Sequence, residues 1–220
     1  MGATETFDLY VDDSGSRLPD KRDPLQRNDK IDAFAFGGYM VKSEEIGIII
    51  NSVEKFKEKY GITCPLHSQK IRSKKDDFAW LGYEAERARE FYFDLSELMT
   101  SLPIIVTGCV IHRPGYNAKY KALYGEKRWH LCQTSYKIIV ERAAKISRFY
   151  NRKLKVLVEE CGKIEDKSIR RYHAELIENG PGFDTEKSGK YGPMTNNDFS
   201  EVLIKNPVFI KKKKPPCADC

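Results

Sequence analysis

The sequence predicts an α/β fold, a mixed five-stranded sheet flanked by helices, on three observations. Short β-branched and apolar runs alternate with longer stretches whose apolar residues recur at helical spacing. The chain has 220 residues, 40% hydrophobic and 11% aromatic, enough for one domain with a real core. It shows neither an internal repeat nor a low-complexity linker, so residues 1–220 are read as one domain.

Phe7 to Val11 is β-prone and stops at Asp12-Asp13-Ser14-Gly15, a turn-favouring cluster, which makes a first strand that delivers acids at its end. SRLPDKRDPLQRNDK reads as a long loop, and Ala33 to Val41 as a second strand antiparallel to the first. Ser43 precedes Glu44 and Glu45, acids suited to a helix's positive end, and Ile46, Ile49, Ile50, Val53 and Phe56 keep helical spacing up to Gly61. A basic loop with Leu66-His67-Ser68 leads to a second helical region, Asp76 to Thr100, so that residues 43–101 form a helical insertion. Ile104 to Ile111 is a buried strand, Trp129 to Tyr150 a helix, and Leu154 to Val158 a short strand that again ends in acids, Glu159 and Glu160. Glu165 to Ile177 is a helix, GPGFDTEKSGKYG a loop, and Val208 to Ile210 the last strand. Tyr10, Trp80, Tyr83 and Tyr92 are read as core rather than as base-stacking platforms.

Composition narrows the function classes. The apolar stretches Ile46 to Ile50 and Leu102 to Ile111 are far shorter than the roughly 18–20 residues of a membrane span, so no membrane partner is expected. The start, MGATETFDLY, has neither region of a secretory leader, and six cysteines in a chain of this size are expected to be reduced; both point to the cytoplasm. Cys109 and Cys132 fall on apolar faces, whereas Cys161 stands beside Glu160. The formal charge of +6 permits a polyanionic partner without requiring one, and part of it is concentrated in Lys211 to Lys214 and in Lys70, Arg72, Lys74 and Lys75. Cys217-Ala218-Asp219-Cys220 has the spacing of half a zinc site or of a redox pair, with no second pair to complete it. There is no phosphate loop, dinucleotide fingerprint or Ser-His-Asp order.

The acids are the chemical signal. In an α/β sheet ligands bind at the carboxyl ends of strands, and two strands far apart in sequence end in Asp12-Asp13 and Glu159-Glu160. Carboxylates gathered there repel one another unless a cation or a proton shares the site. An all-oxygen donor set suits Mg²⁺ or Mn²⁺, and two such ions about 4 Å apart hold both the attacking and the leaving oxygen in phosphodiester hydrolysis. Acidic pairs after strands also serve as turn and cap residues, and lysine runs as solvated strand ends; the pattern by itself leaves these open.

Five segments in order resemble the DUF3800 family. YVDDSG is similar to the family's opening strand ending in Asp-Glu-Ser-Gly, and VEECGKIED to its later Glu-x-x-Gly-Lys-x-Glu-Asp segment. LHSQKIRSKKDDFAWL resembles its Leu-His-x-x-x-Ile-Arg region, YGE with IIVERAAKI its central helix, and FIKKKKPPCA its closing strand. The resemblance implies a ribonuclease H-like fold in which acids from the first strand, the fourth strand and a final helix gather around metal. It implies a metal-dependent nuclease acting on RNA or DNA, with Asp12 as the first-strand acid, Glu159 as the later one, and Asp13 in place of the family's Glu. His67 takes the position of the family's His, a metal neighbour or proton carrier, although a surface loop histidine satisfies the same pattern. Arg72, Lys74, Lys75, Lys211 and Lys213 are the expected phosphate contacts, with Mg²⁺ or Mn²⁺ as cofactor.

The departure from the family is at the carboxyl end. Members continue with Gly-Leu-Gln-Leu-Ala-Asp-Leu and a helix whose Asp is the third metal ligand, whereas here the sequence reads Cys217-Ala218-Asp219-Cys220. Asp219 is then the candidate third ligand, without its supporting helix. That predicts weak activity unless a second copy or a protein partner covers this end. The alternative is a nucleic-acid-binding or partner-binding protein that keeps the ribonuclease H-like fold without full catalysis.

Overall fold

Strand β1 (Thr6–Ser14) continues past Val11 into the acidic turn because β2 (Ala33–Lys42) pairs antiparallel with it as far as Ser14 against Ala35. β3 (Ile105–His112) pairs antiparallel with β2. On the other side of β1 lies β4 (Lys153–Glu159), parallel to it from Thr6 against Lys153 to Val11 against Val158. β5 (Val208–Ile210) is parallel to β4. The strand order is β3-β2-β1-β4-β5, a mixed five-stranded sheet flanked by helices, as the sequence predicts. In this computed structural model the described residues are 5–20, 32–183 and 191–211. Of these, 44–103 form one compact unit and the remainder another.

Period-two alternation divides the sheet unit. Phe7, Leu9 and Val11 of β1 and Leu154, Val156 and Val158 of β4 point to one side and are buried in one apolar cluster. Among the described residues the α-helices are α1 (Ile46–Tyr60), α2 (Ser68–Ser73), α3 (Ala85–Ser101), α4 (Arg113–Tyr124), α5 (Leu131–Phe149), α6 (Lys163–Asn179) and α7 (Asn196–Val202). Helix α5 closes this cluster with Leu131, Tyr136, Ile139, Val140 and Ala143, the helical spacing that the sequence displays. Buried His173 of α6 bridges inside it. Its Nε2 lies 2.8 Å from the Ile204 carbonyl, which can only accept, so that nitrogen carries the proton and Nδ1 accepts from the Tyr136 hydroxyl at 2.8 Å. The other side of the sheet carries Asp8, Tyr10 and Asp12 in register with Lys155, Leu157 and the position of Glu159. Buried Asp8 accepts from Thr6 Oγ1 at 3.0 Å and Ser43 Oγ at 2.7 Å, with Lys155 Nζ at 3.5 Å.

The second unit has its own core, in which Phe91 of α3 meets Phe56, Tyr60, Phe78 and Trp80 at centroid separations of 5.1–6.5 Å. Several expectations need correction. Strand β3, expected to be buried, is exposed or half-buried along its whole length, with Val106 and Val110 turned to solvent. The helical region expected from Asp76 is a 3₁₀ turn, Asp76–Gly82, followed by a break and then α3. Residues 68–73, expected in a loop, form α2, and the unpredicted α4 and α7 are helical. Tyr83 is 74% exposed and Tyr92 39%, so neither is core. Cys132 is buried, Cys109 packs against the core, and Cys161 is exposed. Among the described residues, no helix is long and apolar enough to cross a membrane.

Candidate functional site

Two strands, β1 and β4, run parallel and side by side, so their carboxyl ends meet on one edge of the sheet. Val11 and Val158 are the last matched pair, and the residues that follow them are Asp12 and Glu159. Alternation turns both away from the apolar cluster, on strands about 4.8 Å apart. Asp12 is exposed and Glu159 half-buried. The Asp13 amide donates to Asp12 Oδ1 at 2.7 Å, which fixes that carboxylate over the strand end.

Asp13 faces the other way. Its two oxygens accept from Arg17 Nε at 2.6 Å and Nη2 at 2.9 Å, a bidentate pair that is largely shielded from solvent. Burial opposes the Arg17 charge, but the hydrogen bond to Asp13 outweighs it and holds the guanidinium more firmly protonated than usual. The turn between them needs Gly15: at φ +91° a Cβ would stand 2.6 Å from the Ala33 carbonyl oxygen. The segment beyond it is clamped from α4. Buried Arg113 donates to Asp32 Oδ1 at 2.7 Å, to the Ser16 carbonyl at 2.9 Å and to the Leu18 carbonyl, while Asn117 Nδ2 donates to the Pro19 carbonyl at 2.8 Å. The Leu131 amide, at the start of α5, donates to the Arg17 carbonyl at 2.9 Å.

At the end of β4 the Glu160 amide donates to the Ile210 carbonyl at 3.0 Å, and the Cys161 amide to Asp166 Oδ1 in the first turn of α6 at 3.2 Å. The Cys161 thiol lies 3.8 Å from Asp13 Oδ1 and 3.4 Å from the Glu159 carbonyl. Partial burial raises its pKa, Asp13 and Asp12 raise it further, and Arg17 only partly opposes them, so the thiol is protonated at neutral pH. Burial likewise pushes the neighbouring Cys132 up to about 12.

The structure therefore brings Asp12 and Glu159 to one edge and turns Asp13 toward Arg17. His67 belongs to the second unit, where it is exposed and precedes α2. Arg72, Lys74 and Lys75 are exposed at the end of α2, with Lys74 in the left-handed region at φ 54°. Lys211 is exposed beside β5, whereas Lys213 and Asp219, like Cys217 and Cys220, lie outside the described residues. Arg17 and Arg113 are the members of the site that sequence reasoning missed. An arginine four residues after an acid signals a pair on a helix, but here a turn makes the contact. Among the described residues no group of three or more His, Cys, Asp or Glu side chains is arranged to hold a metal ion. The donor set of two carboxylates fits a hard divalent cation that keeps part of its water, which is how Mg²⁺ is commonly held.

No family model matches the chain, and no solved structure matches it. It is 32% identical over 196 residues to the Sinorhizobium fredii protein described as "Uncharacterized protein y4pM", an alignment that spans 88% of this chain and 72% of that protein. The chain thus belongs to the same family as y4pM of Sinorhizobium fredii.

Proposed function

We propose that the chain is a divalent-metal-dependent phosphodiesterase of ribonuclease H-like fold, of the DUF3800 type, that hydrolyses RNA or DNA with Mg²⁺ or Mn²⁺. One observation carries the reading: the parallel pairing of β1 with β4 sets Asp12 and Glu159 on adjoining strand ends, where a first-strand and a fourth-strand acid must meet to share an ion. Held there, the ion supplies a Lewis acid for a phosphoryl oxygen and a more acidic water. Asp12 and Glu159 provide the negative charge that binds it. The Asp13–Arg17 pair is neutral as a unit, and its role is to fix the turn that carries Asp12. The protonated Cys161 thiol is no nucleophile at neutral pH. The exposed Lys211, beside β5, is a proposed contact to phosphate; for His67, Arg72, Lys74 and Lys75, in the second unit, the roles of proton carrier and phosphate contact remain what the family resemblance implies. A second reading, a binding protein that keeps the fold with impaired catalysis, is favoured by one feature: Asp13 is committed to Arg17, which among the described residues leaves Asp12 and Glu159 as the acids of this edge, where a two-ion site asks for three.

The test is Asp12→Asn, which keeps shape and removes the charge. Cleavage of labelled RNA and DNA in Mn²⁺ is expected to fall about a hundredfold or more, because even losing a group that only hydrogen-bonds to a metal's ligand costs about 10–100-fold. Unchanged cleavage by a well-folded variant overturns the assignment.

A further inference from the structure

A groove of about 830 Å³ runs between α4 and α5, entirely within the sheet unit and on residues that the nuclease reading does not use. One wall is a ladder on α4: Tyr116, Tyr120 and Tyr124 recur at i, i+4 and i+8, with ring centroids 4.8 and 6.2 Å apart. Facing it are Trp129, Phe183 and Tyr191, whose rings follow one another at 5.7 and 6.3 Å. Cations are interleaved with the rings. Lys119, Lys127, Arg142 and Lys145 are all exposed and line the groove, with Lys119 Nζ 5.1 Å from the Tyr120 centroid and Lys145 Nζ 4.9 Å from that of Tyr191. Among the described lining residues Glu141 is the single acid. It is already engaged by Tyr191, by Lys145 at 3.0 Å and by the Met194 amide at 3.0 Å.

Aromatic faces alternating with ammonium and guanidinium groups match a strand whose bases are unpaired and whose backbone is anionic. Duplex bases are stacked on each other and offer no face to such rings. The groove starts beside the turn that carries Asp13, on the α5 side of the sheet: Trp129 lies two residues before Leu131, whose amide holds the carbonyl of Arg17, the partner of Asp13. From Leu131 to Lys145 the axis of α5 rises about 21 Å, room for several nucleotides.

We infer that this groove binds single-stranded RNA or DNA, its bases stacking on Tyr120, Tyr124 and Trp129 and its phosphates meeting Lys119, Lys127 and Arg142. The inference deepens the nuclease reading by naming the substrate form, and it is tested separately from that reading by working in EDTA, where nothing is cleaved. Binding of fluorescent 12-nucleotide single strands to the full chain is measured by anisotropy over a salt series. Quenching of Trp129 is followed in a Trp80→Phe background. Tyr124→Ala, at a residue 54% exposed, is expected to weaken binding about tenfold. Lys119→Ala with Lys127→Ala is expected to flatten the salt dependence by about one to two units. Because Tyr120 packs against its neighbours, Tyr120→Phe serves as its control and is expected to retain affinity. Equal affinity for a duplex, competition by inorganic polyphosphate as strong as by the single strand, or unchanged binding by a folded Tyr124→Ala variant overturns the inference. Binding without any cleavage in Mn²⁺ sinks the nuclease reading and leaves this one standing.

Discussion

Asp12 and Asp13 are neighbours in sequence and do opposite work, because a strand sends consecutive side chains to opposite faces. Asp12 goes to the side shared with Glu159, and Asp13 to Arg17 and the Cys161 thiol. Asp13→Asn is therefore expected to cost about 1–3 kcal/mol of stability through the lost charged hydrogen bonds while leaving Mn²⁺ affinity within a few-fold, readable by denaturant unfolding and metal titration. The motif was legible in the sequence as a pair of acids; which of the two turns to the side shared with Glu159 was not, since that depends on register. His173 supplies a pH test. Burial lowers its pKa below the ordinary 6.5, and the Ile204 carbonyl only partly offsets this. As pH falls below about 6.5 the unfolded chain takes up the proton and the folded chain does not, so stability present above that pH is progressively lost. His173→Gln is expected to lower the melting temperature at pH 7.5 and to flatten its decline between pH 7 and 5.5.

At the scale of elements, strands β1 to β5 and helices α1, α5 and α6 were readable because their apolar periods are strong and their neighbours agree with them. Helix α4 was hidden by Arg113-Pro114-Gly115, which looks like a breaker; in place, Pro114 occupies the first turn, where no donor is lost, and His112 Nδ1 accepts from the Gly115 amide at 3.3 Å. Its tyrosine ladder at four-residue spacing was the available signal. Helix α7 begins with a capping box of Thr195 and Asp198, a pattern equally present in the sequence but set in a glycine-rich neighbourhood that reads as loop. Strand pairing imposes a requirement of its own on β2. A Cβ at Gly38 would stand 1.8 Å from the Tyr10 carbonyl oxygen, two residues upstream of Asp12. Gly38→Ala must push β2 off β1, and it is expected to cost about 3 kcal/mol or more, or to prevent folding, as measured by thermal melting. Gly47→Ala, in open space on α1, is the control and is expected to be neutral or stabilising.

At the scale of the molecule, sheet order sets the candidate site: residues 12 and 159 come to one edge because β4 returns parallel beside β1, a connection that no local spacing encodes. The formal charge of +6 is spread over exposed cations of both units, including Arg72, Lys74, Lys75, Lys119 and Lys127, so net charge alone gave no location for a polyanion. The groove between α4 and α5 was equally illegible, since its walls come from α4, α5 and the loop residues Trp129, Phe183 and Tyr191, which meet only in three dimensions. What the account claims above all is that Asp12 and Glu159 hold a divalent ion together. Titration of Mn²⁺ into the full chain, followed by loss of the free-ion paramagnetic resonance signal, tests this directly for the parent, Asp12→Asn and Glu159→Gln. The account predicts one weakly held ion per chain whose affinity drops at least about tenfold in each variant; binding in either folded variant that equals the parent's, or no binding in the parent, would contradict it.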